Sequence, residues 1–171
     1  MNKLEGKVAL VIGSGRGFGR SIAIAYAREG AKTVSVARMR SELEDMAKVI
    51  RTRGGEVLTI PMGLSKEDEI YRMRDKVLDT YGRLDVLVNN AAASPWKRVE
   101  EITVQDWDKV IAVNLRAPFI LMKAFLESMK NQGRDSLINV SSKSAEMGFV
   151  AEIADYPSKF GLRAHSMLSI R

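Results

Sequence analysis

With 171 residues, 46% apolar and 28% charged, the chain has the length and balance of one globular domain with its own core. A net charge of +6 is carried by scattered residues (Arg38 and Arg40, Arg51 and Arg53, Lys97 and Arg98), which argues against a nucleic-acid surface and leaves a mild positive field suited to an anionic cofactor. The absence of cysteine excludes disulfides, the lone His165 excludes a histidine metal site, and no apolar run is long enough for a membrane span or a secretory signal, so a cytoplasmic protein without metal or membrane is expected.

Lys7 to Ile12 is a short, continuous apolar run, as a strand buried on both faces requires. A glycine-rich turn leads into a helix predicted from Arg20 to Glu29 and closed by Gly30. Thr33 to Ala37 reads as the second strand. Ser41 and Glu44 have the spacing of a capping box, opening a helix that ends at Gly54-Gly55. Val57 to Ile60 is the third strand, with Pro61 at its end. Ser65, with Asp68 three residues on, is expected to cap a helix running to about Tyr81 before Gly82. Leu84 to Val88 is the fourth strand.

Thr103 and Asp106 open a long helix toward Asn131, with Pro118 inside it as a possible kink. Leu137 to Val140 is the fifth strand. Pro157 suits the first turn of a last helix running toward Arg171. Asn139 to Ser141 matches a glycosylation sequon, but within a strand it reads as chance. The strict alternation predicts an α/β fold: one domain over residues 1–171, a doubly wound parallel sheet with helices on both faces. The far edge of such a sheet, its C-terminal strands, is expected to be missing.

The turn after the first strand reads G-S-G-R-G-F-G, Gly13 to Gly19. The familiar G-x-G-x-x-G spacing fails, because Phe18 stands where the third glycine would fall. Gly13, Gly17 and Gly19 give G-x-x-x-G-x-G instead. Glycines let backbone approach a pyrophosphate, whose charge meets free N–H groups at a helix N-terminus. Gly13, Gly15, Arg16, Gly17, Phe18 and Gly19 are therefore candidate cofactor-binding residues. At the end of the second strand, where an acid would bond the adenosine ribose, stand Ala37 and Arg38. Arg38 and Arg16 are candidate contacts for a 2′-phosphate, which points to NADP(H) over NAD(H).

Further motifs follow in order: N-N-A-A at Asn89 to Ala92, Asn114 in V-N-L-R-A-P-F, I-N-V-S-S ending at Ser142, and Y-P-S-K with Tyr156 and Lys159. In this order they closely resemble the short-chain dehydrogenase/reductase family in its NADP-preferring form, of the kind that reduces 3-oxoacyl carrier-protein substrates. The resemblance covers essentially the whole chain. It implies a Rossmann-type fold, hydride transfer between NADP(H) and a carbonyl or alcohol substrate, and a homodimer or homotetramer packed through the long and last helices.

It also implies roles. Ser142 is expected to bond the substrate oxygen. Lys159 is expected to hold the nicotinamide ribose and lower the pKa of a tyrosine acid/base. Asn114 is expected to hold a water in the proton relay, and Asn90 and Ala91 to border the cofactor. Three positions depart from the family: Ile12 replaces its threonine, Ala92 a glycine and Gly63 an acid.

The largest departure is one of register. Counted from Ser142 and Lys159, the family's tyrosine belongs at 155, where Asp155 stands; Tyr156 is one step late. On a helix, i and i+4 share a face and i and i+3 nearly do. Tyr156 can therefore still meet Lys159, but swung about 100° from the expected direction. An unperturbed aspartate, with pKa ~3.9, is ionised at neutral pH, and Lys159 beside it is expected to hold it there. Either Tyr156 reaches the site through a rearranged turn, or the chemistry is impaired and the chain is a dinucleotide-binding or assembly protein.

Overall fold

The computed structural model describes residues 2–130, 136–148 and 150–166. Five strands, β1 (Val8–Ile12), β2 (Lys32–Ala37), β3 (Val57–Pro61), β4 (Val86–Asn89) and β5 (Ser136–Asn139), form one parallel sheet in the order β3-β2-β1-β4-β5. The chain leaves β1 in one direction through β2 and β3, then returns to its other side for β4 and β5. This is the Rossmann-type doubly wound arrangement, whose switch point lies between β1 and β4.

Among the described residues, six α-helices connect and cover the strands: α1 (Gly17–Arg28), α2 (Arg40–Thr52), α3 (Glu67–Tyr81), α4 (Val104–Ile111), α5 (Ala117–Lys130) and α6 (Asp155–Ser166). Strand alternation sorts β1 between two cores. Val8, Leu10 and Ile12 pack with Ile70, Met73 and Val77 of α3 and Ile120, Leu121 and Phe125 of α5. Ala9 and Val11 pack on the other face with Ala23 of α1 and Leu43, Met46, Ala47 and Ile50 of α2. Every β1 side chain is buried, which explains the continuous apolar run.

Asp85, just before β4, fastens the start of β1. Its carboxylate accepts hydrogen bonds from the Val8 N–H at 2.9 Å, from Lys7 Nζ at 2.9 Å and from Arg83. Burial works to raise its pKa, but the bonds from Arg83, Val8 and Lys7 outweigh burial and hold the carboxyl below its usual value.

Several local expectations are corrected. α1 begins at Gly17, three residues before the predicted start. Ser41 does not cap α2: the helix starts at Arg40, with Met39 as an N-cap that makes no side-chain bond. Nor does Ser65 cap α3. Lys66 is its N-cap, and Glu67, Asp68 and Glu69 crowd the first turn, where the helix dipole favours negative charge. Of these three pairs, Thr103–Asp106 alone forms a reciprocal capping box, at α4.

The long helix is irregular just before Pro118. It runs from α4 through a widened π-turn at 112–116 into α5, with Pro118 buried in the first turn of α5. The end of this helix at Asn131 and the end of α6 toward Arg171 lie outside the described residues. The sequon's Asn139 is engaged within the fold, accepting from Asn89 Nδ2 at 2.9 Å and donating to Ser166 Oγ at 2.8 Å.

Candidate active site

The C-terminal ends of β1, β2 and β4 open into a cleft at the switch point. Gly13, Gly15, Arg16, Ala37, Arg38, Gly63, Asn90, Ala91 and Val113 line it. Its floor depends on missing side chains. Gly13 has φ +77°, and a Cβ there would lie 2.8 Å from the Ala91 Cα. A Cβ on Gly19 would strike the Gly13 carbonyl and the Asn90 amide. Asn90 Nδ2 donates to the carbonyls of Ile12 and Gly13, at 3.2 and 3.0 Å, and so pins the turn to the end of β4.

The beginning of α1 is open. Arg16 is its N-cap, with no side-chain bond, and no acid lies in its first turn. The unpaired N–H groups and the helix dipole make this a site for negative charge. Gly13, Gly15, Arg16, Arg38, Asn90 and Ala91 are thus brought together. Gly17 and Phe18 belong to the first turn of α1 and are not among the lining residues; the Phe18 ring is 80% exposed. A backbone cradle closed by glycines, an open helix start and two guanidiniums fit a dinucleotide with its phosphates.

One charged lining residue lies outside the sequence expectations. Glu42, in the first turn of α2, reaches back beside Arg16 and Arg38. It lies within the Ser41–Glu44 spacing, past the end of β2 where an acid is expected.

A second cluster lies where the π-turn meets α6. Asn114, wholly buried, accepts from the Ala93 N–H at 2.7 Å. Its Nδ2 is within reach of three acceptors: the Ala93 carbonyl at 2.9 Å, and Asp155 Oδ1 and Ser158 Oγ, each at 3.1 Å. Ser158 Oγ in turn donates to the Asp155 carbonyl at 2.7 Å. Lys159 is buried, and its Nζ donates to the Val140 carbonyl at 3.1 Å.

Asp155, and not Tyr156, therefore stands with Asn114 and on the helix face of Lys159. Tyr156 occupies the neighbouring face. Its ring pairs with Phe160 one turn on, centroids 5.6 Å apart, and lies against Gly148. This arrangement is what i, i+4 geometry imposes on both pairs once α6 is regular from Asp155. The turn at the helix start is not rearranged to bring Tyr156 to Asn114.

The direction of the Asp155 shift differs from expectation too. The Asp155 carboxyl is raised, not lowered. Burial is the main cause, and the charge of Glu152 adds to it; Lys159, Ser144 and Asn114 oppose them without prevailing. Burial likewise lowers Lys159, against the opposing charge of Asp155. Glu152 is itself buried and accepts a hydrogen bond from Ser144. Ser144 and Glu152 come beside Asp155 only when the loop after β5 folds, whereas Ser158 lies three residues along the same helix.

Ser142 is exposed and starts the short helical turn at Lys143–Ala145. Its Oγ accepts from the Ser144 N–H at 3.2 Å and lies 3.1 Å from the Ser144 hydroxyl. Ser144 Oγ in turn donates to Glu152, so the Ser142 hydroxyl is linked to that carboxylate through Ser144.

Comparison with known proteins agrees with this layout. The family model described as short chain dehydrogenase matches residues 7–168. An uncharacterized oxidoreductase of Thermotoga maritima is 38% identical over 144 residues, 84% of this chain and 57% of the relative. The 3-oxoacyl-(acyl-carrier-protein) reductase of the same organism is 34% identical over 140 residues, 82% of this chain and 57% of that protein. The crystal structure of a metagenomic short-chain oxidoreductase in complex with NADP matches with a TM-score of 0.92 and 36% identity, over 95% of this chain and 74% of that one. The chain thus spans less than two thirds of the length of the curated relatives it matches. With nearly every described element inside the matched range, and the glycine cradle at the sheet's switch point, this chain belongs to the short-chain dehydrogenase family.

Proposed function

We propose that the protein is an NAD(P)-dependent oxidoreductase, moving a hydride between a nicotinamide dinucleotide and the carbonyl or alcohol carbon of a small-molecule substrate, with NADP(H) favoured. The observation that carries this reading is the cleft between β1 and β4, with its glycine floor, the open start of α1, and Arg16 and Arg38 at one end. The bound nicotinamide supplies the hydride chemistry. Arg16 and Arg38 receive the 2′-phosphate, and the α1 N–H groups receive the pyrophosphate. Asn90 keeps the glycine turn in place, and Ala91 borders the cofactor. Ser142 offers its hydroxyl to the substrate oxygen, and Lys159 and Asn114 hold the proton path.

One observation favours a second reading, a dinucleotide-binding or assembly protein with impaired chemistry: Asp155 holds the place of the family's tyrosine, and Tyr156 lies against Phe160. Calorimetric titration with NADP+ and NADPH, followed by NADPH oxidation against a panel of carbonyl compounds, separates the two. Turnover supports the first, binding without turnover supports the second, and no binding defeats both. Under either reading we place the protein in the cytoplasm, as a homodimer or homotetramer packed through α4, α5 and α6. Trp107, Phe119 and Phe160 stand exposed there, and analytical ultracentrifugation reads the assembly.

A further inference from the structure

We infer that Glu42 is the acceptor for the adenosine ribose hydroxyls, supplied from helix α2 in place of the acid that β2 lacks, so that the cleft takes NAD(H) as well as NADP(H). This rests on the dinucleotide reading above.

The geometry is specific. Glu42 is half-buried and lines the same cleft as Arg16, Ala37 and Arg38. Its Oε2 lies 2.5 Å from the point that a Cβ on Gly15 would occupy, and its own Cβ lies 3.1 Å from that point. The carboxylate therefore rests on the glycine turn itself, in space that any other residue at position 15 would fill. Among the described residues, the side chains of Glu42, Arg16 and Arg38 form no hydrogen bond or ion pair. Three unpartnered charges, two positive and one negative, thus face one end of one cleft.

Those charges sort the two cofactors. An ionised carboxylate only accepts hydrogen bonds, which matches the two donor hydroxyls of an unphosphorylated ribose. The same carboxylate repels a 2′-phosphate, whereas Arg16 and Arg38 attract it. Attraction and repulsion at one place narrow the discrimination that two arginines alone would give. The ordinary role of a first-turn acid, stabilising the start of α2, would leave that discrimination untouched.

The test is calorimetric affinity for NADP+ and NAD+, measured on the parent protein and on Glu42→Gln, with thermal unfolding as a control for folding. Glu42→Gln is expected to tighten NADP+ and weaken NAD+. The ratio of the two dissociation constants should move on the order of tenfold or more, the size of a hydrogen bond to a charged group. Glu42→Ala should move it in the same direction. An unchanged ratio, with the parent still binding, overturns the role of Glu42 alone. A parent protein that binds neither dinucleotide overturns the cleft assignment and this inference with it.

Discussion

Asn114 Nδ2 stands 3.1 Å from Asp155 Oδ1, joining the π-turn to the first residue of α6 across 41 positions of sequence. The same amide nitrogen holds the Ala93 carbonyl at 2.9 Å. One buried side chain thereby ties together the loop after β4, the π-turn and the helix that carries Lys159. Asp155 is the acidic member of that junction, so substitutions there bear directly on whether the cluster does chemistry.

Asp155→Tyr returns a phenol to the face shared with Lys159. If the cleft binds cofactor as proposed, this variant should gain carbonyl reduction on the order of 10²-fold over the parent, the low end of what a positioned general acid contributes. Steady-state NADPH oxidation on the carbonyl panel measures it. Equal or lower turnover, at unchanged cofactor affinity, would show that a phenol at position 155 is not what limits the chemistry.

Asp155→Asn should change stability in a pH-dependent way. The folded carboxyl keeps its proton to higher pH than the unfolded one. Between those values the folded state binds more protons, so stability falls as pH rises from about 3.9, the unperturbed value, through the folded pKa. The amide variant keeps an oxygen for Asn114 and carries no charge. Its Tm should therefore exceed the parent's at pH 7, and that advantage should shrink toward pH 4.

Asp85 works with the opposite sign. Its folded carboxyl is lowered, so its contribution is present above about pH 3.9 and is lost as pH falls through the folded value. Asp85→Ala leaves the Val8 N–H without its carboxylate partner. The expected cost is about 2 kcal/mol at pH 7, or about 4–8 °C in Tm for a chain of this size. The gap between variant and parent should close in acid, and a pH series of thermal unfolding curves reads both effects.

The two left-handed glycines of the turn should separate cleanly. Gly13→Ala combines φ +77° with a Cβ 2.8 Å from the Ala91 Cα, so β1 and β4 must move apart at the cleft floor. Gly17→Ala, at φ +57°, meets nothing within 4 Å and carries only the left-handed penalty, about 1–2 kcal/mol. Calorimetry with NADP+ should show affinity loss on the order of tenfold or more for Gly13→Ala, the scale of the strain it places at the cleft floor. Gly17→Ala should lose mainly stability, seen as a lower Tm.

The strands were legible because each is a short apolar run bounded by turn residues, and β1, buried on both faces, is the plainest. The helix starts were legible only at α4. Three segments carry a hydroxyl residue followed three positions later by an acid, and only Thr103–Asp106 closes as a box. At Ser41 the helix has already begun, and the neighbouring Glu42 is drawn over Gly15 by packing that no local spacing records.

The register that puts Asp155 in place of a tyrosine followed from the family resemblance, counted from Ser142 and Lys159. The direction of its pKa shift did not follow. Lys159 is its neighbour in sequence terms, but the deciding influences are exclusion of water and a second carboxylate, Glu152, and both arise only when the loop after β5 folds against α6. The π-turn was hidden for a related reason. It widens a helix without interrupting the apolar pattern from which helices are recognised.

The fastening of Val8 by Asp85 also bears on the order in which the molecule can assemble. β1 lies at the middle of the sheet, yet one of its two neighbours and the carboxylate at its start come from a segment 77 positions later. During synthesis, the first three strands can pair among themselves while one edge of β1 stays bare. That edge is closed, and the mouth of the cleft formed, only after Asn90 and Ala91 have left the ribosome. Contacts this distant in sequence slow folding through the cost of closing the intervening loop. Until then the nascent chain carries an unpaired apolar strand, the kind of surface that chaperones shield.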